Sequence, residues 1–195
     1  QNLYRIQPTA GATYADANPR TAAPDIVEAD VKVASFNVLN YFVTLDGGSS
    51  AWICGPSGTM ECRGADTAEE FTCQRTKILA ALSAIDADIF GLMEIENEHP
   101  GGGDAVADLV AGLNEIKGPG TYAYINTGAI GTDAIKQAIL YKPAAVTPVG
   151  EYEILTSIVD PRFIDTANRP ALAQVFKDNV YNVKFVVAVN HLKSK

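Results

Sequence analysis

Four places in this 195-residue chain put reactive side chains at the edges of apolar runs. Asn37 follows Phe36, Glu94 follows Leu92-Met93, Asn168-Arg169-Pro170 opens one run, and Asn190-His191 closes another. The chemistry such a set could do is phosphate chemistry. A carboxylate suits a hard divalent cation, an Asn amide can hold a phosphate oxygen or a water, and a guanidinium matches phosphate with two parallel N–H donors. A neutral imidazole moves a proton near neutral pH. Each residue also has a plainer reading: Glu94 as a cap, Asn37 as a turn former, His191 as a structural histidine, Arg169 as a surface cation. Strand ends are where rigid scaffolds present functional groups, so the set argues for function where each member alone does not.

Bringing these residues together requires a sheet. Val31–Leu39 reads as a buried strand, with apolar residues at 31, 33, 36, 38 and 39, and Asp88–Ile95 as a central one. Further strand-like runs cover 122–127, 134–142, 146–154, 171–176 and 182–190, with Lys177-Asp178-Asn179 as a hairpin turn between the last two. Asp66 or Thr67 can N-cap a helix with Glu69 and Glu70 in its first turn and an apolar stripe of Phe71, Ile78, Leu82 and Ile85. A second helix spans about Asp104–Ile116, stopped by Gly118-Pro119-Gly120. The pattern predicts an α/β fold with a mixed sheet and outer helices. Residues 1–30, rich in Ala, Pro, Thr and Asp, read as a lead-in or linker, and 31–195 as the domain.

Composition narrows the partners. The chain is 47% hydrophobic and 19% charged, which excludes disorder throughout. Its longest purely apolar stretches, such as Phe185–Val189, are too short to span a bilayer. Net charge is −8, with 6 basic and 17 acidic residues in 1–115 but 9 basic and 6 acidic in 116–195. Such a balance excludes a histone-like polyanion binder and leaves open an enzyme that holds phosphate with a metal and a few local cations.

Residues 41–65 form a long loop that carries Cys54 and Cys62, and Cys73 follows in the first helix. The turn-rich Gly55-Pro56-Ser57-Gly58 between the first two can bring them within bridging distance, which predicts a Cys54–Cys62 disulfide with Cys73 left odd. Three reduced thiols are the alternative. No C-x-x-C pair suggests zinc or redox work.

Five blocks in order carry a resemblance: Val33–Phe42, Asp88–Asn97, Ile139–Pro143, Asn168-Arg169-Pro170 and Asn190–Lys195. Together they resemble the endonuclease/exonuclease/phosphatase superfamily. Within it they are most similar to secreted bacterial extracellular deoxyribonucleases, whose Cys-Arg-Gly-Ala-Asp stretch resembles residues 62–66. The resemblance implies a four-layered α/β sandwich of mixed sheets with outer helices, and divalent-metal-dependent hydrolysis of phosphodiester bonds in extracellular DNA. It implies Glu94 as ligand to Mg²⁺ (or Ca²⁺ or Mn²⁺), with Asn37 beside it at the phosphate, and His191 as general acid or phosphate stabiliser. Arg169, Asn168 and Lys136 would contact substrate, and Asp133 would orient His191 or lie near phosphate. Glu96 would share the strand face of Glu94, or serve as a loop carboxylate.

The family's later machinery does not appear. An Asp-x-Asn motif, a further metal-side Asp and a late Asp-His pair would follow the histidine strand, whereas His99 is the only other histidine. The expectation is that the chain is about the first half of such a domain and is inactive alone. Two other readings remain: a phosphodiesterase on another substrate, sphingomyelinase-like, or a non-catalytic surface-binding module that retains the fold.

Overall fold

A computed structural model describes residues 28–48, 51–165 and 168–192, together with 9–13, 15, 17, 21 and 25. The 1–30 lead-in lies largely outside the described residues, as do Lys193–Lys195 of the last block. Those of residues 1–30 that are described are exposed and belong to no helix or strand.

The first sheet is built on β2 (Ile89–Glu96), whose consecutive Ile89-Phe90-Gly91-Leu92 are all buried. A run apolar on both faces belongs at the centre of a layered sheet. β1 (Val33–Tyr41) pairs with it in parallel, and β4 (Ile135–Tyr141) pairs antiparallel on its other side, followed by the two-residue β3 (Ala123–Tyr124). One face of this sheet carries the helices α1 (Ala68–Ile85) and α2 (Ala105–Lys117). Thr67 caps α1 by accepting from the Glu70 N–H, and the Glu70 carboxylate accepts from the Asp66 N–H, so two orphan donors are satisfied reciprocally. Asp104 caps α2 by accepting from Val106 and Ala107. Leu79 joins Ile78 and Leu82 as the buried side of α1, with Phe71 and Ile85 half-buried at its ends.

The second sheet covers the opposite face of the first. Its spine is β7 (Ala171–Asp178), with β8 (Lys184–Val189) antiparallel on one edge. On the other edge the expected 146–154 strand is two short pieces in line, β5 (Val146–Pro148) and β6 (Glu153–Leu155). Gly150, in the left-handed region at φ 73°, breaks the strand, and the buried Gln174 amide donates to the Val149 and Gly150 carbonyls across the gap. The 177–179 turn lies two residues later than expected. Lys177 and Asp178 stay in β7, and the Asp178 carboxylate accepts from the Val180 and Tyr181 N–H groups to close the hairpin.

The two sheets pack face to face through Ile89 and Ile139 of the first against Leu172, Phe176, Val187 and Val189 of the second. They meet closely where Gly91 faces Val189: a Cβ built on Gly91 would lie 2.9 Å from the valine Cγ2. The architecture is an α/β sandwich of two face-to-face sheets with outer helices, and among the described residues the helices cover the first sheet. No described helix is long and apolar enough to cross a membrane.

Candidate active site

Glu94 owes its position to a break in β2. The β2–β4 register shifts between Leu92 and Ile95, and Glu94 adopts φ 62°, a left-handed conformation that a non-glycine residue enters at a cost. Such a bulge re-aims a side chain, and here it separates Glu94 from Glu96. Glu96 is buried and accepts from the Val43 and Thr44 N–H groups, so it anchors a loop and does not share the Glu94 face. Of the two roles open to Glu96, the loop carboxylate is the one the structure fits.

His191 follows the end of β8, in the other sheet. Its Nε2 lies 3.4 Å from Glu94 Oε1, with side chains 14% and 20% exposed. Its Nδ1 lies 3.4 Å from Arg169 Nη1. A guanidinium only donates, so Nδ1 must offer a lone pair, which leaves the proton on Nε2 facing the carboxylate. Burial, then the Arg169 charge, hold the imidazole below its ordinary value, while Glu94 pulls the other way. His191 is therefore a neutral Nε2–H donor near pH 7, suited to hydrogen-bonding a phosphate oxygen rather than to serving as a charged acid.

Arg169 is held in turn. Its Nε donates to Asp133 Oδ2 at 2.8 Å, and Arg63 Nη2 meets Asp133 Oδ1 at 3.1 Å. Asp133 hydrogen-bonds Arg169 and acts on His191 by charge, which raises the imidazole's pKa, so it orients the arginine rather than the imidazole. Two features fix that carboxylate. Asn97, fully buried, donates to the Ile130 and Asp133 carbonyls and accepts from the Ile130 N–H, which pins the 130–133 loop. Gly131, at φ 63°, lets the loop close onto Pro170, where an added Cβ would lie 2.9 Å from the proline Cγ.

The remaining expected residues sit differently. Asn37 is exposed on β1 in register with Met93, one residue before Glu94, and its Oδ1 accepts from the Leu39 N–H at 2.8 Å. Asn168 is exposed and turns its amide back on the Ile164 carbonyl. Lys136 is buried, and its Nζ donates to the Gly128 carbonyl at 2.8 Å and pairs with Glu98 at 3.4 Å. Its ammonium is thus committed inside the fold, away from the Asp133 pair.

Sequence reasoning missed Arg63 and Asn97. Arg63 lies in the long loop, and its place beside Cys62 and inside the family-like Cys-Arg-Gly-Ala-Asp stretch was the signal that pointed to it. The Cys54–Cys62 disulfide forms, with both residues fully buried against Phe42, Ala134 and Ile135, while Cys73 is free and exposed. Cys54 also lies near Glu96 and His99, a spacing that could suggest a metal centre. The donor chemistry does not fit: the Cys54 sulfur is in the disulfide, and Glu96 Oε2 is taken by backbone N–H groups.

No family model and no curated protein sequence matches the chain. Among solved structures it is similar to an endonuclease/exonuclease/phosphatase family protein from Bacteroides thetaiotaomicron, at 19% identity over 81% of this chain and 49% of that one, TM-score 0.48. It is similar to another from Bacteroides vulgatus, at 16% identity over 81% and 51%, TM-score 0.49. The human Nocturnin catalytic domain with bound sulfate anion matches at 19% identity over 65% and 45%, TM-score 0.44. The chain spans about half the length of these structures.

Proposed function

We propose that this chain is part of a secreted, divalent-metal-dependent phosphodiesterase that hydrolyses extracellular DNA. The observation that carries the reading is the 3.4 Å approach of Glu94 to His191, with Arg169 against the other imidazole nitrogen. A carboxylate, a neutral N–H donor and a guanidinium on one rim make a set that a phosphodiester fits and that strand caps have no reason to assemble.

The Glu94 carboxylate is a hard oxygen donor, which suits Mg²⁺, Ca²⁺ or Mn²⁺ rather than a soft metal. Glu94 would hold the ion, and Asn37, one strand over, would hold a phosphate oxygen or a water by turning its amide from Leu39. When bound, the ion would neutralise phosphate charge and lower the pKa of a water. His191 donates its Nε2–H to a phosphate oxygen, Arg169 neutralises charge beside it, and Asp133 fixes the arginine. The disulfide supports an oxidising compartment.

Turnover belongs to the whole domain. Among the described residues the rim holds one imidazole, and Asp133 is committed to two arginines, so the 195-residue chain alone should bind without turning over. The test incubates supercoiled plasmid and Mg²⁺ with a longer form that continues past Lys195, and with its Glu94→Gln variant. Nicking that Glu94→Gln abolishes supports the reading. Absence of nicking, or nicking indifferent to Glu94, sinks it.

A further inference from the structure

We infer that Arg63, carried by the disulfide-closed loop, binds a second phosphate of the substrate, beside the one at His191, and so selects a polynucleotide over a molecule with a single phosphodiester. The inference rests on the reading of the site given above.

Four contacts join the rim in series: Glu94 to His191 at 3.4 Å, His191 to Arg169 at 3.4 Å, Arg169 to Asp133 at 2.8 Å, and Asp133 to Arg63 at 3.1 Å. Arg169 and Asp133 thus stand between His191 and Arg63. A phosphate held by His191 would sit near the Glu94 end of this series, and Arg63 is its last member at the other end. Two guanidiniums share one carboxylate, so Arg169, Asp133 and Arg63 together carry one positive charge. Arg63 is also the outermost member, with 36% of its side chain exposed and more N–H donors than its one contact to Asp133 uses.

Its backbone is built to stay in place. Cys62, just before it, is fully buried in the disulfide. Gly64, just after it, packs on Phe42 so closely that an added Cβ would lie 2.5 Å from the phenylalanine Cβ. Ala65 is buried, and its carbonyl accepts from the Asp46 N–H at 2.8 Å. The same loop exposes Trp52, 65% accessible and the only tryptophan of the chain, an aromatic face of the kind on which bases stack.

The experiment measures binding by the 195-residue chain, without turnover, to two probes in Ca²⁺: a short fluorescein-labelled DNA duplex, and a dinucleotide with one phosphodiester that competes with it. Arg63→Gln should weaken duplex binding about tenfold, the scale of one lost charge-assisted contact, and lower the log–log salt slope by about 0.9. Dinucleotide affinity should stay within about twofold, a difference of under 0.5 kcal/mol. Arg63→Lys should keep the salt slope while losing part of the affinity, because the charge remains and the fork does not. A Cys54→Ala/Cys62→Ala chain that still folds should match Arg63→Gln, with no added loss when the two are combined. Equal weakening of both probes would show that Arg63 acts through Asp133 on the first phosphate, and overturns the inference. Unchanged duplex binding in Arg63→Gln, with loss in Arg169→Gln, overturns it while leaving the function standing. A wild-type chain that binds neither probe removes both.

Discussion

Glu94 and His191 meet at 3.4 Å although they belong to different sheets, one on a bulge of β2 and the other just past β8. The site is therefore an inter-sheet contact. Its electrostatics follow from what each layer contributes: an anion from the first sheet, and a guanidinium and an imidazole from the second.

The His191 titration should respond in opposite directions to its two neighbours. Arg169 lowers its midpoint and Glu94 raises it, so Arg169→Gln should move the midpoint up and Glu94→Gln should move it down. The two histidines can be followed by proton NMR of their ring signals. Shifts of the same sign in both variants would refute the arrangement.

The depressed midpoint also fixes a pH dependence of stability. Above about pH 6.5 the imidazole is neutral in both folded and unfolded chains and contributes no slope. Below it the unfolded chain takes up the proton first, so this contribution to stability falls on acidification until the folded midpoint is passed. Denaturant melts between those limits should show the wild type gaining stability relative to His191→Gln as the pH rises, because the variant has no group titrating at that position. A wild type that loses stability relative to the variant as the pH rises would contradict the assignment.

Glu94 holds a left-handed backbone that glycine adopts freely. Glu94→Gly should be more stable than Glu94→Ala by about 1 kcal/mol, while both lose cation-dependent phosphodiester binding. Equal stabilities in chemical denaturation would show that the bulge carries no strain.

Removing the Cys54–Cys62 bridge should cost about 2–3 kcal/mol by the loop-entropy argument, for a separation of 8 residues. The measurement is the urea midpoint of Cys54→Ala/Cys62→Ala. A change under about 0.5 kcal/mol would mean that the buried packing of the loop on Phe42 and Ile135 suffices alone.

Asn97→Ala strips partners from two buried carbonyls and one N–H of the 130–133 loop, at roughly 1–3 kcal/mol for each group left unsatisfied. It should also lower the His191 midpoint, because the Asp133 carboxylate that raises it is no longer held beside Arg169. A stability loss with an unmoved midpoint would separate Asn97 from the site.

Local signals were legible in the sequence. Thr67 and Asp104 cap the helices, the apolar runs at 89–92 and 171–176 are strands, and Cys54 and Cys62 bridge across a glycine-rich turn. What escaped was non-local. Nothing in the residues around Arg63 says that a loop seventy or so positions before Asp133 returns to it, since the contact depends on Gly64 closing on Phe42 and on the disulfide packing over Ala134 and Ile135. The resemblance put Lys136 among the substrate contacts, but a lysine within a buried strand must satisfy its ammonium locally, and Gly128 and Glu98 do so. The interrupted 146–154 strand was hidden because Gly150 reads equally as a strand residue or a break until Gln174 fills the gap.

The contact between Gly91 and Val189 works as a spacer gauge for the rim. Gly91 precedes Glu94 by three residues on β2, and Val189 precedes His191 by two at the end of β8, so the thickness of one missing methyl group calibrates the gap in which a phosphate is gripped. Valine has little rotameric freedom with which to yield, and an alanine at 91 would press the two layers apart there. The tolerance of the cleft is thus machined into the sandwich interior, beneath the groups that use it, and a substitution with no reactive atom of its own would detune them all at once.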